Sequence, residues 1–131
     1  MNTPASPSAA SDRHADAALR VARAYHRAWR DGEFAEAAEL LSPDLDIDVP
    51  INQYSTKDEF LIAARMTREM TSQVNTLAEY GDATGAVLIY DLSLPFGALR
   101  VAEQFVVTGD RITTIRHIHD TAAVRAAGLG D

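Results

Sequence analysis

The chain contains no cysteine. Disulfides, a thiolate nucleophile and a thiolate-held metal are therefore excluded, and the composition suits a reducing compartment such as the cytoplasm. Positive charge is also scarce: 12 Lys and Arg stand against 19 Asp and Glu, a formal net charge of -7. A phosphate backbone or an anionic membrane would be repelled by that balance, so neither nucleic acid nor membrane is expected as a partner. No apolar run approaches the roughly 20 residues that a membrane helix needs. The opening MNTPASPSAASD lacks the basic start and apolar stretch of a secretory leader, and residues 1–12 read as a disordered tail. With 131 residues, 47% of them hydrophobic, the chain can bury one core without metals or cross-links. Residues 13–127 read as one domain and 128–131 as a frayed end.

What is present is a change of period along the chain. Over residues 13–30, Ala18, Val21, Ala22, Tyr25, Ala28 and Trp29 recur at intervals of three and four, which predicts an amphipathic helix that Gly32 can close. A shorter helix over 34–41 is stopped by Ser42 and Pro43. Leu45, Ile47 and Val49 alternate with Asp46 and Asp48 as a half-buried strand does, and Pro50 ends it. Thr56 and Glu59 have the spacing of a capping box, opening a third helix. Its inward face is Phe60, Ala63, Ala64, Thr67 and Met70, with Ile62 and Met66 beside it. From residue 74 to 119 four β segments follow, broken at Gly81-Asp82, Pro95-Phe96-Gly97 and Gly109-Asp110, which predicts a meander. Asp120 is placed to cap a last short helix through Ala127.

This order is α+β: a cone-shaped, curved antiparallel sheet wrapped around three N-terminal helices. If Leu94 faces Leu99 across the Pro-Phe-Gly turn, Tyr90 falls opposite Glu103 and Leu88 opposite Phe105 on one sheet face. His117 and His119 share a strand face by alternation, and a three-residue turn sets Glu103 directly across from His117. A carboxylate so placed orients the imidazole and raises its basicity. Slipping the strand by one residue would instead turn Ile112 and Ile118 inward, both histidines outward and Arg116 into the core. His-x-His with Glu103 could hold zinc, but cavity lining is the better reading and no metal is expected. Tyr25 and Trp29 lie one helical turn apart and can both face the interior. Val87, Ile89, Ala102, Val106, Ile112 and Ile118 would line the outer sheet face, more apolar surface than a monomer exposes comfortably, so a two-fold dimer through that face is expected.

Three segments, AYHRAWRDGEFAEAAELLSPDLDIDVP, STKDEF and AEQFVVTGDRITTIRHIHD, resemble the nuclear transport factor 2-like superfamily. Within it they are similar to the SnoaL-like polyketide cyclases, ketosteroid isomerases and limonene epoxide hydrolases, and the resemblance covers the chain from Ala17 onward. It implies a cystatin-like α+β roll around a hydrophobic pocket. It also implies Tyr25 at the oxyanion-holding tyrosine of the isomerases and Glu103 at their protonated aspartate, an acid kept neutral by apolar surroundings. The isomerase general base falls at Val49, which takes no proton. His117 falls at the catalytic aspartate of the cyclases and hydrolases, whereas the rest of the hydrolase triad falls near Leu88 and Tyr90.

The expectation is a cofactor-independent enzyme acting on a hydrophobic carbonyl compound such as a polyketide, by cyclisation, isomerisation or dehydration. His117 is its base, Glu103 its orienter or a neutral donor, and Tyr25 its electrophile. His119, Tyr90, Trp29, Phe105, Leu88, Val49, Asn52, Tyr54, Phe60 and Met66 are the candidate substrate-binding residues. The alternative is a non-catalytic binding or assembly domain, in which the same groups satisfy one another.

Overall fold

Helix α1, Ala17–Arg30, buries Ala18, Ala22, Tyr25, His26 and Trp29 along one stripe, as the three-and-four spacing requires. It ends in a Schellman turn: Gly32 takes φ +78°, its N–H donates to the Trp29 carbonyl, and Glu33 N–H donates to Ala28. The computed structural model describes residues 15–130. The predicted tail at 1–12 and the predicted first turn at 13–14 lie outside the described residues.

Helix α2, Phe34–Glu39, stops two residues before the predicted end. The Leu40 carbonyl accepts from Ile112 N–H, and Leu41 opens strand β1, Leu41–Asp48, opposite Ile112. Pairing with a distant strand thus wins over continuing the helix. Helix α3, Lys57–Met70, has the expected cap: Thr56 Oγ1 accepts from Glu59 N–H at 3.2 Å, while Glu59 Oε1 accepts from Ser55 N–H at 2.7 Å. The Trp29 indole donates to the Ala64 carbonyl at 2.8 Å and ties α1 to α3.

The meander is β2, Gln73–Gly81; β3, Gly85–Leu94; β4, Gly97–Thr108; and β5, Arg111–His119. Five strands form one sheet in the order β1-β5-β4-β3-β2. The meander strands pair antiparallel, and β1 joins β5 parallel, because the chain leaves β1 through α3 and the rest of the sheet before returning beside it. The sheet is curved and unclosed, with α1 packed on β2, β3 and β4.

The β3–β4 register differs from the expected one, and β5 carries a break in alternation that bears on the site. The β3–β4 turn is two residues, Pro95-Phe96, so Leu94 faces Gly97, which takes φ +130°. Leu92 therefore faces Leu99, Leu88 faces Glu103 and Tyr90 faces Val101, each pairing two residues from the expected one. A shift of two preserves the face, so Tyr90 meets Glu103 diagonally. In β5, Ile112 pairs with Val107 and Thr114 with Val106, leaving Thr113 as an extra, bulged residue. Ile112 consequently points into the core and not to the outer face.

Phe105, Leu41, Leu88, Ile112 and Ile115 are fully buried, and each contributes roughly 1.5–3 kcal/mol by leaving water. Helix α4, Ala122–Ala126, starts where Asp120 Oδ1 accepts from Ala122 N–H at 2.9 Å. A second Schellman turn at Gly128 follows, and Asn52 Nδ2 donates to the Leu129 carbonyl at 2.9 Å. Gly130 lies so close to Ile51 that a Cβ there would come within 2.7 Å of Ile51 Cδ1. Leu129 and Gly130 thus lie against the loop at 51–52.

Candidate active site

A cavity of about 700 Å³ lies between the sheet, α1, α3 and the C-terminal segment. Tyr25, Trp29, Val49, Asn52, Tyr54, Phe60, Met66, Tyr90, Glu103, His117 and His119 all line it. Leu88 and Phe105, assigned to the wall from the sequence, do not: both are wholly buried in the core. Met66 stands at the rim, 58% exposed, beside the equally outward Ile62.

At the polar end Glu103 is 4% exposed and both of its oxygens are taken. The Tyr90 hydroxyl donates to Oε1 at 2.9 Å, and His117 Nε2 lies 2.7 Å from Oε2. The direct β4–β5 pairing of Glu103 with His117 creates the second contact. Burial pushes the Glu103 carboxyl up, but the His117 charge and hydrogen bond, then His26 and Tyr90, outweigh it and hold the group below its ordinary value. That direction favours Glu103 as an ionised acceptor of both contacts. A carboxylate only accepts, so His117 Nε2 carries the hydrogen and Nδ1 is the nitrogen left for a ligand.

Tyr25 packs edge-on against Phe105, ring centroids 5.9 Å apart, and its hydroxyl has no hydrogen-bond partner among the described residues. Burial and then the Glu103 charge raise its pKa well above the usual tyrosine value, so it remains a neutral donor. Tyr90 is raised for the same two reasons and further by its bond to Glu103. His119 lies 3.0 Å from the Asp120 carbonyl through Nδ1.

His26 is the group that the sequence reading passed over. It is 4% exposed, with its ring 4.7 Å from that of Tyr90 and 5.8 Å from that of Trp29. Nε2 meets Thr76 Oγ1 at 3.3 Å, while the buried Nδ1 has no partner among the described residues. Burial lowers its pKa; Glu103 and Glu79 oppose the shift and Arg30 adds to it. The stripe of Ala18, Ala22, Tyr25 and Trp29 contains position 26, so helical spacing was the available signal.

Among the described residues that line the cavity there is no Lys or Arg. Among the described residues no three His, Asp or Glu side chains gather as metal ligands would.

No family model matches the chain, and none of the curated proteins does. Solved structures do. A protein from Kribbella flavida DSM 17836 superposes with a TM-score of 0.80 at 31% identity, over 86% of this chain and 93% of that one. An NTF2-like protein of unknown function from Cytophaga hutchinsonii ATCC 33406 matches over 82% of this chain and 94% of its own, with a TM-score of 0.69 and 12% identity. The chain has the nuclear transport factor 2-like fold. Another similar structure is a steroid delta-isomerase from Pseudomonas aeruginosa, with a TM-score of 0.72 at 14% identity over 86% of each chain. At that identity the nuclear transport factor 2-like fold is what is shared, and superfamily members of one fold carry unrelated functions. Among the described residues no helix is long and apolar enough to cross a membrane.

Proposed function

We propose that the protein is a cofactor-independent acid/base enzyme of the cytoplasm, acting on a hydrophobic, carbonyl-bearing small molecule by cyclisation, isomerisation or dehydration. The 2.7 Å contact between His117 Nε2 and buried Glu103 carries this reading. It fixes the ring and leaves Nδ1 without a partner among the described residues, in a side chain that lines an apolar cavity. His117 Nδ1 takes a proton from the carbon beside the carbonyl, and the bonding pair moves onto the carbonyl oxygen. Tyr25 donates to that oxygen as it becomes negative. Glu103 stabilises the imidazolium that results, and the apolar walls strengthen each of these charges.

The test replaces the base while keeping its partner satisfied. His117→Gln can still donate to Glu103 but cannot take a proton. Wild-type protein is expected to speed deuterium exchange of the α-hydrogens of 4-phenyl-2-butanone in heavy water, and His117→Gln to lose about 100-fold or more of that rate. Exchange no faster than imidazole buffer supplies would remove the enzyme reading. It would leave the second one, a non-catalytic binding domain, favoured by the way Tyr90, Glu103 and His117 satisfy one another.

We also propose a homodimer through the outer sheet face. Val87, Ile89, Ala102, Val106 and Ile118 form its apolar centre; Ile118 is 61% and Val106 40% exposed.

A further inference from the structure

We infer that His119 is a second proton-transfer group of this cavity, donating to an oxygen near the carbon that His117 deprotonates, and that the reaction is a dehydration or an aldol-type ring closure. The inference rests on the proposed function and narrows it. His119 Nδ1 lies 3.0 Å from the Asp120 carbonyl, which can only accept, so the hydrogen sits on Nδ1 and Nε2 is left for a ligand. That orientation is braced: the Asp120 side chain accepts from Ala122 N–H at the start of α4. His117 shows the opposite arrangement, with Nε2 engaged by Glu103. Two rings on one strand face therefore each keep one nitrogen available, and both line the cavity.

Residues i and i+2 of a strand are about 7 Å apart. A hydrogen-bond length of about 3 Å on either side of a C–C–O unit spans roughly that separation. A proton donor on the oxygen side lets an oxygen be protonated as the neighbouring carbon gives up its proton, which dehydration and aldol-type ring closure use and a carbon-to-carbon 1,3-proton shift does not.

For a β-hydroxy ketone the step balances as follows. The α-proton goes to His117 Nδ1, and its bonding pair becomes the new carbon–carbon double bond. The carbon–oxygen bond breaks, and the departing hydroxyl takes the Nε2 proton of cationic His119. An enone and water result, His117 is cationic, His119 is neutral, and proton exchange through water restores both. In ring closure the enolate carbon instead attacks a second carbonyl, whose oxygen takes the same proton.

Two probes of similar size separate the roles. Exchange into 4-phenyl-2-butanone uses His117 and Tyr25 but not His119, whereas conversion of 4-hydroxy-4-phenyl-2-butanone to its conjugated enone uses His119 as well. In His119→Gln the ratio of dehydration to exchange is expected to fall about 100-fold, and exchange itself reports that the fold and His117 are intact. An unchanged ratio overturns the inference, whether the two rates fall together or neither falls. Exchange by wild-type protein without dehydration overturns it alone; absence of exchange overturns the proposed function as well. Nitrogen-15 spectra recorded at a pH where both rings are neutral are expected to show the Nδ1–H tautomer at His119 and Nε2–H at His117, and the Nε2–H tautomer at His119 would count against the inference.

Discussion

Ile112 and His117 lie on the same face of β5, although they are five positions apart and strict alternation would set them on opposite faces. Thr113 makes this arrangement: as an unpaired residue in the ladder it resets the alternation, so Ile112 fills the core while Ile115, His117 and His119 still face inward. Deleting Thr113 forces one set outward. The expected cost is at least about 2 kcal/mol in urea unfolding, the worth of a buried isoleucine. Thr113→Ala loses only a hydroxyl contact of 3.2 Å to the Val106 carbonyl and should cost less than about 1 kcal/mol. A deletion variant as stable as the parent would show that the bulge is dispensable.

The same bulge explains what was and was not legible in the sequence. Periodicity located the helices and strands, and Gly109-Asp110 together with the His-x-His spacing led to the Glu103–His117 pair. A three-residue turn would set that register; the molecule reaches it with a two-residue turn plus Thr113. Strict alternation had made inward Ile112 and inward His117 mutually exclusive, yet the interval of three between Ile112 and Ile115 already signalled the insertion. Tyr90 reached Glu103 despite a register error because a shift of two keeps the face. Leu88 and Phe105 share that face too, but depth beneath the cavity depends on sheet curvature, which no local pattern encodes. His26 was missed because polarity was allowed to outweigh its place on the α1 stripe.

Acid should weaken the fold in two stages. His26 is held below its ordinary 6.5, so the neutral ring is favoured when folded; that contribution is complete above 6.5 and is lost as the pH falls toward the lower folded value. A proton on its Nδ1 would have no acceptor, and of the charges around it Arg30 opposes protonation while Glu103 and Glu79 favour it. Glu103, held below 4.5, adds stability that is complete above that value and is lost at lower pH. Urea midpoints at pH 7.5 and pH 5 are expected to differ less in His26→Leu than in wild-type protein, with the loss below pH 4.5 retained. Equal drops in both proteins would exclude His26 as the source of the upper stage.

The dimer makes a separate claim on the outer face. Polar ladders frame its apolar centre: Arg100 pairs with Asp91 at 2.8 Å, and Arg116 bridges Asp48 and Gln104 at 2.7 and 2.9 Å. Ile118→Asp puts a charge into that centre without touching the core. Light scattering is expected to give a dimer mass for wild-type protein at micromolar concentration and a monomer mass for the variant, with an unchanged circular dichroism spectrum. A wild-type monomer would remove the proposal.

Tyr25 and Tyr90 carry the same hydroxyl into the same cavity, and their partners make the expected results opposite. The Tyr90 hydroxyl satisfies one oxygen of a buried carboxylate, so Tyr90→Phe should cost about 1–3 kcal/mol of stability. The Tyr25 hydroxyl satisfies nothing in the described protein, so Tyr25→Phe should change stability by less than about 0.5 kcal/mol. Its effect should appear in the reaction: a donor that meets charge only in the transition state is worth about 100-fold or more in rate. Urea unfolding and α-proton exchange measured on both variants give two independent readings. If Tyr25→Phe unfolds more readily and exchanges as fast as the parent, Tyr25 is a packing residue and the electrophile must be sought elsewhere.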